Sequence, residues 1–427
     1  MLFKNISIVD ENFDIIEDGF LQIEGDKIIY MGKAEPENYS GEIYNGKNKL
    51  MLPGFYNTHC HVPMTLLRGY GEGLPLHRWL FEKVFPFEAK LTGEDCYWAT
   101  LLGSIEMIKS GVVSFTDMYF YIENMIQAVE ESGLKVNISH GSSPKEGFSF
   151  KEIADYLDTD KMAKRYNNKN GKIKVDMGLH AEYTSTEEFV KEVAQYAKEN
   201  NLIVHTHVSE TKKEHLECKI KHGMTPIQYF EKCGLLDNKV IAAHCVYIED
   251  EDLEIIKARD VSPVHCISSN MKLGSGFAPT KKMLDMEINL CLGTDGASSN
   301  NNLNYMEEIH LATMVNKGFY GDPEFMSSRE ILKMATINGA KSQGRENSGA
   351  LKVGNQADFI VIDMNKAHLQ PVFDYLANVI YSAQASDICL SVVDGEIIYK
   401  DGELTKIDEE KVIYESNKSK DRILSEI

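Results

Sequence analysis

Two histidines stand one residue apart in the stretch LMLPGFYNTHCHVPM, Leu50 to Met64. Residues two apart on a strand face the same side, so His59 and His61 can converge on one object. Further polar residues close other apolar runs: His180 in GLHAEY, His207 in LIVHTHVSE, His244 in KVIAAHCV and Asp295 in INLCLGTDG. Imidazoles and a carboxylate are the ligands that zinc and similar divalent ions take, and a catalytic site leaves one position for water. Singly, each residue has an ordinary structural reading, because H-x-H pairs arise by chance and Thr-Asp-Gly is a common turn. Their joint placement at the ends of successive apolar runs points to a metal site. Glu210 follows His207 by three residues in HVSE, close enough to lean over the attacking water as a proton shuttle. His205 shares the face of His207 one layer deeper and reads as a hydrogen-bonded core residue. His77, His215, His222, His265, His310 and His368 fall outside the pattern and read as structural or surface residues.

The elements that must position these groups are short apolar strands alternating with helical patterns. After Gly54 the strands are the run ending in His61, then VVSFTDM, KVNISHG, IKVDMGLHA, LIVHTHVSE, KVIAAHCV, VSPVHCI and INLCLGTDG. Between them lie segments such as TSTEEFVKEVAQYAKENN, with apolar residues three and four apart. Eight such strands predict an α/β fold, a (β/α)₈ TIM-like barrel, in which reactive groups sit at the carboxyl ends of the strands. His59 and His61 then end the first strand, His180 the fourth, His207 the fifth, His244 the sixth and Asp295 the eighth. The two chain ends are β-rich instead, with LFKNISIVD and GFLQIEGDKIIYMG before the barrel and LKVGNQADFIVIDM and ICLSVVDGEIIYKDGEL after it. They are expected to pair into one small β-sandwich domain, with boundaries at 1–53, 54–348 and 349–427. The tail DEEKVIYESNKSKDRILSEI reads as a solvated surface helix.

Composition narrows the function classes. A net charge of -20 argues against a nucleic-acid binder, which needs clustered Lys and Arg. Eight cysteines without a C-x-x-C pair indicate neither a disulfide scaffold nor a Cys-rich zinc site, so a cytoplasmic setting is expected. The first twenty residues carry acids rather than a secretory pattern, and no run reaches the roughly 18 apolar residues of a membrane span. No membrane partner is expected.

With these residues in place, the chain resembles the amidohydrolase superfamily and, within it, the S-adenosylhomocysteine/5'-methylthioadenosine deaminases. The resemblance covers nearly the whole chain and is carried by MLPGFYNTHCHVPMTLLRG, WLFEKVFPFEAKLT, HVSE, IAAHCV, SSNMKLGSGFAP, LGTDGASSNNNLN and GALKVGNQADFIVID. It implies one divalent ion per chain, Zn²⁺ with Fe²⁺ as the alternative, held by His59, His61, His207 and Asp295. Binuclear relatives use a carboxylated lysine at the end of the fourth strand, where this chain reads GLHAEY.

By the same resemblance Glu210 handles the proton on the substrate ring nitrogen, His244 holds the attacking hydroxide and Asp295 takes its proton. Glu88 in FPFEAKL would contact the ribose hydroxyls, His180 the nucleoside, and Ser299 the substrate side of the T-D-G turn. Trp79 and the Gly-rich RGYGEGLPLHRW would cover the pocket.

Two departures stand out. His140 in NISHGSS occupies a point where such deaminases commonly have arginine, and Glu182 in HAEYTS adds an acid. Both argue against a substrate with the charged amino-acid end of S-adenosylhomocysteine.

The implied function is hydrolytic deamination of adenosine-type nucleosides by a homo-oligomer, a dimer or tetramer. The alternative is a related activity on guanine, another aminated base or an s-triazine-like ring. A non-catalytic scaffold is disfavoured because the four ligands and Glu210 are all present. The H-x-E and P-C-x-x-C signature of cytidine-type deaminases is absent.

Overall fold

Short runs of Val, Ile, Leu and Phe, buried on both faces, form the barrel. In the computed structural model its strands are Phe55–Cys60, Val112–Tyr119, Lys135–His140, Ile173–Val175 continued by Met177–Leu179, Val204–Val208, Val240–His244, Ser262–His265 and Cys291–Leu292. Neighbours pair in parallel, which requires cover on both faces and explains the near-continuous apolar runs. The structure describes residues 1–37, 39, 41–74, 76–167, 169 and 171–427. Pro75, in the stretch expected to cover the pocket, lies outside them, as does the His77 side chain.

The fourth strand breaks at Asp176, and backbone bonds bridge the gap: Asp176 N–H donates to Ile138 at 2.9 Å and Met177 N–H to Ile203 at 2.8 Å. Gly178 is needed here, since a Cβ would come within 1.7 Å of the His140 carbonyl oxygen. The ring closes between the first and eighth strands. Asp295 N–H donates to His59 O at 3.0 Å, and the Asn57 amide exchanges bonds with Thr294 at 2.8 and 3.1 Å.

Helices fill the crossovers, each with an apolar stripe inward. Ile122–Ser132 buries Ile122, Met125, Ile126 and Val129, the spacing of one helical face. Thr92, Thr186 and Thr211 cap the starts of Gly93–Lys109, Glu187–Asn200 and Lys212–His222, satisfying N–H groups the first turn leaves free.

Both chain ends contribute to one nine-stranded sheet, as expected from their sequence texture. Its central seam pairs Lys49–Pro53 antiparallel with Phe359–Asp363, Leu52 opposite Ile360. Alternation sorts the side chains: Met51, Phe359 and Val361 join Phe3, Ile8 and Leu390 in the sheet's own core. Leu50, Leu52, Ile360 and Ile362 join the barrel core on the other side. Lys135, at the start of the third barrel strand, is buried between Asp358 at 2.6 Å and Asp394 at 2.5 Å and ties the two units together.

The terminal helix, Glu409–Ser425, is not simply solvated. It buries Val412, Ser416, Ser419 and Ile423, and it docks on Gly93–Lys109 through Lys109–Glu409 at 2.6 Å and Arg422–Asp95 at 2.5 Å. Among the described residues no helix is long and apolar enough to cross a membrane.

Candidate active site

At the carboxyl ends of the strands, four imidazoles and a carboxylate meet. Strand alternation turns His59 and His61 to the same side, and the barrel's curvature brings His207 and His244 across from them. Ligand atoms of His59, His61 and His207 all lie within 4.8 Å of one another, as do those of His59, His244 and Asp295.

The outer nitrogens are committed elsewhere. His61 Nδ1–H donates to the Met118 carbonyl at 2.6 Å, and His207 Nδ1–H donates to the His180 carbonyl at 2.7 Å. Their Nε2 atoms therefore carry lone pairs, yet they face each other at 3.2 Å. Asp295 Oδ1 stands 3.4 Å from Nε2 of both His59 and His61, and His59 Nε2 is buried with no hydrogen-bond partner. Burial pushes His59 down to about 4 and His207 well below the ordinary histidine value, so both rings are neutral near pH 7. The Nε2 lone pairs of His61 and His207 and the Asp295 carboxylate thus converge with His59 Nε2. Ligand bonds of about 2.0–2.1 Å in a tetrahedron place ligand atoms roughly 3.3 Å apart, so the donor set fits a Zn²⁺-like ion.

Asp295 is held for this geometry. Its φ is 61°, its Oδ1 accepts Gly296 N–H at 2.7 Å, and its Oδ2 accepts the hydroxyls of Ser269 at 2.6 Å and Ser299 at 3.0 Å. Burial alone would raise its carboxyl. The facing imidazoles of His59, His244 and His61 outweigh it and hold the carboxyl well below the usual range.

His244 completes the wall, with φ of 70° and Nδ1–H donating to Asn270 Oδ1 at 3.0 Å. Its Nε2 lies 3.8 Å from Glu210 Oε2, and Glu210 Oε1 accepts the Ser275 hydroxyl at 3.3 Å. Burial would lower His244, but the charges of Glu210 and Asp295 raise it. Glu214 fixes the Glu210 loop by accepting N–H from Ser209 and Glu210, each at 2.9 Å.

Other expected residues fall around this cluster. The His180 ring is centred 5.0 Å from that of His207, with Nδ1 bonded to Thr184 at 3.0 Å. Glu88 ends the helical turns at 76–88 and accepts the Tyr119 hydroxyl at 2.6 Å, next to the Met118 that anchors His61. Burial raises the Glu88 carboxyl to about 7 although Tyr119 opposes the shift. Trp79 is buried and fastens the cover segment, its Nε1–H donating to Tyr70 O at 3.3 Å.

His140 and Glu182 do not join the cluster. His140 faces the helix Ala154–Tyr166, with Nε2 3.7 Å from Asp158. Glu182 is buried beside Glu214, which together with desolvation raises its carboxyl. Ser299, expected at the substrate, donates its hydroxyl to Asp295 at 3.0 Å.

Sequence reasoning missed Ser269, Asn270 and Ser275. The signal was the polar run SSNMKLGSG directly after the seventh strand. His205 is hydrogen-bonded in the core as expected, with Nε2 2.8 Å from His59 Nδ1. His265 likewise pairs with Asn316 at 3.1 Å.

A (β/α)₈ barrel with an H-x-H strand end, a fifth-strand histidine and an eighth-strand aspartate defines a class, and residues 50–398 match the amidohydrolase family, to which this chain belongs. Among curated relatives it is 42% identical to a 5-methylthioadenosine/S-adenosylhomocysteine deaminase of Thermoanaerobacter pseudethanolicus, over 98% of each chain. It is 39% identical to a 5'-deoxyadenosine deaminase of Methanothermobacter thermautotrophicus, over 93% of each chain. Among solved structures, a zinc-bound adenosine deaminase from Xanthomonas campestris superposes with a TM-score of 0.94 at 25% identity, covering 99% of this chain and 98% of that one. A zinc-bound atrazine chlorohydrolase from Arthrobacter aurescens shares the fold at 0.90 and 22% identity, covering 98% of this chain and 99% of that one.

Proposed function

We propose that the protein is a metal-dependent aminohydrolase of adenosine-type nucleosides, converting 5'-methylthioadenosine, S-adenosylhomocysteine or adenosine to the inosine analogue and ammonia. The observation that carries this reading is the convergence of the His59, His61 and His207 ring nitrogens and an Asp295 carboxylate oxygen beside Glu210 and His244. Full-length similarity to nucleoside deaminases supports the substrate class. One ion per chain is proposed, and zinc in related solved structures favours Zn²⁺.

Water is a poor nucleophile and an amino group a poor leaving group. A divalent ion held by His59, His61, His207 and Asp295 would lower the pKa of water from roughly 16 toward about 7, which would make hydroxide available at neutral pH. Asp295 takes the proton of the attacking water, its carboxylate held in plane by Ser269, Ser299 and Gly296. In its acid form Glu210 gives a proton to the ring nitrogen beside the attacked carbon, so charge does not build on the ring. His244, fixed by Asn270, directs the nucleophile. The proton on Asp295 passes to the amino group, the C–N bond breaks, and the hydroxyl proton returns to Glu210 as the ring carbonyl forms. Glu88, held by Tyr119, accepts from the ribose hydroxyls, and His180 contacts the nucleoside.

The test is ammonia release from adenosine, 5'-methylthioadenosine, 5'-deoxyadenosine, S-adenosylhomocysteine, guanine and cytosine, with metal content measured on the same sample. Turnover of guanine or cytosine with no nucleoside turnover would replace this reading with a base deaminase. We also infer a reducing, cytoplasmic setting, supported by eight free thiols, seven of them buried.

A further inference from the structure

The three histidines of the cluster are supported from behind in two different ways. His61 and His207 each donate Nδ1–H to a backbone carbonyl, which no substitution removes. His59 has no such carbonyl. Its Nδ1 faces Nε2 of His205 at 2.8 Å, with the two rings nearly perpendicular at 83° and both side chains fully buried.

One proton lies between these two nitrogens, and its owner decides what His59 is. If His59 carries it, His205 Nε2 is the acceptor and His59 Nε2 presents a lone pair to the cluster. If His205 carries it, His59 is left with its proton on Nε2, pointing at Asp295 Oδ1 3.4 Å away, and becomes a hydrogen-bond donor rather than a ligand. We propose that His205 is a positioning residue that makes His59 a metal ligand, by accepting the His59 Nδ1 proton and fixing the plane of its ring.

The second barrel strand supports this arrangement. The far side of the His205 ring lies toward the Asp117 backbone, where its buried Nδ1 has no hydrogen-bond partner, so the 2.8 Å contact with His59 is the bond that holds the ring. The next carbonyl along, Met118 O, holds His61, while the Asp117 carboxylate accepts Val62 N–H at 2.8 Å and lies 3.5 Å from the Cys60 thiol. Met118 thus supports His61 directly, and Asp117 fixes the turn that follows it. An outer partner that sets the tautomer of a ligating histidine is typically worth about 10- to 100-fold in metal affinity.

The inference rests on the metal reading of the site, and the experiment separates the two. Apo-protein is prepared by chelation and Zn²⁺ affinity is measured by competition with a chromophoric chelator, with near-UV circular dichroism reporting the fold. Wild-type protein that binds no stoichiometric Zn²⁺ would end the metal reading itself. Given a wild-type site, His205→Leu and His205→Met, apolar replacements of different shape, should each bind Zn²⁺ about 10- to 100-fold more weakly. His205→Gln, whose amide oxygen can accept from His59 Nδ1, should stay within about threefold of wild type, well short of that loss. Wild-type affinity in either folded apolar variant, or a loss in His205→Gln as large as in those variants, would overturn the role assigned to His205.

Discussion

His61 Nε2 and His207 Nε2 face each other across 3.2 Å, each with its other nitrogen already donating to a backbone carbonyl. Two lone pairs at that separation repel unless a cation lies between them. The barrel holds them there because the first and fifth strands are locked to their neighbours by parallel ladders along their length. Rigidity of the frame therefore stores the site in its ligand-ready form.

Metal binding should then stabilise the folded protein. A ligand at about 1,000 times its Kd adds roughly 4 kcal/mol to the native state. For a chain of 427 residues, with an unfolding entropy of about 2.1 cal/mol/K per residue, that raises Tm by roughly 4 °C. Calorimetry of chelated and Zn²⁺-reconstituted protein measures the shift, and equal Tm values would refute it.

Replacing Asp295 by Ala removes both a cluster oxygen and the proposed acceptor of the water proton. Activity should fall by at least about 10²- to 10⁴-fold, the usual size of an acid-base contribution, and metal content should fall with it. Full activity in this variant would sink the assignment of Asp295.

Glu210→Gln separates proton transfer from metal binding. The side chain sits beside His244, and its oxygen contact from Ser275 survives in the amide. We expect kcat to drop about 10²- to 10⁴-fold with metal content unchanged. A parallel loss of metal would make Glu210 part of the cluster's support instead.

Glu88 reads out the substrate class. Hydrogen bonds to an ionised acceptor are worth roughly 1.5–3 kcal/mol, so Glu88→Ala should lower nucleoside kcat/KM by roughly 10- to 150-fold and leave turnover of a free base nearly untouched. Its carboxyl is raised to about 7, so it is protonated, and a weaker acceptor, below that pH. Nucleoside kcat/KM should consequently fall as pH drops through about 7, and Glu88→Gln should flatten that acid limb. An unchanged pH profile in Glu88→Gln would assign the limb to another group.

Most of the fold was legible because each barrel strand is an apolar run closed by a polar residue, and because the two chain ends share a β texture the middle lacks. The meeting of His59, His61, His207, His244 and Asp295 was legible for the same reason, since titratable groups at strand ends are sparse. Hydroxyl and amide supports carry no such signal: Ser269, Asn270 and Ser275 look like loop residues until the seventh-strand loop folds over Asp295, His244 and Glu210. His140 ends the third strand as expected, and its distance from the cluster is a matter of parity. Asn137 and Ser139 lie on one face of the third strand, and the next residue necessarily turns to the other, toward Asp158. The terminal helix hid its docking face among charges, because the buried positions include Ser416 and Ser419 as well as Val412 and Ile423.

The seam between Lys49–Pro53 and Phe359–Asp363 also fixes an order of assembly. Lys49 pairs with Asp363, so the partner of a strand made early emerges only after the entire barrel has been translated. At about 5–20 residues per second, the early strand waits on the order of 15 to 60 s on the ribosome with one edge open. That edge leads through Gly54 straight into the strand bearing His59 and His61. The strand bearing His59 and His61 thus stays tethered to an unfinished sheet throughout synthesis, and the ribosome's progress to Asp363 becomes the event that closes it.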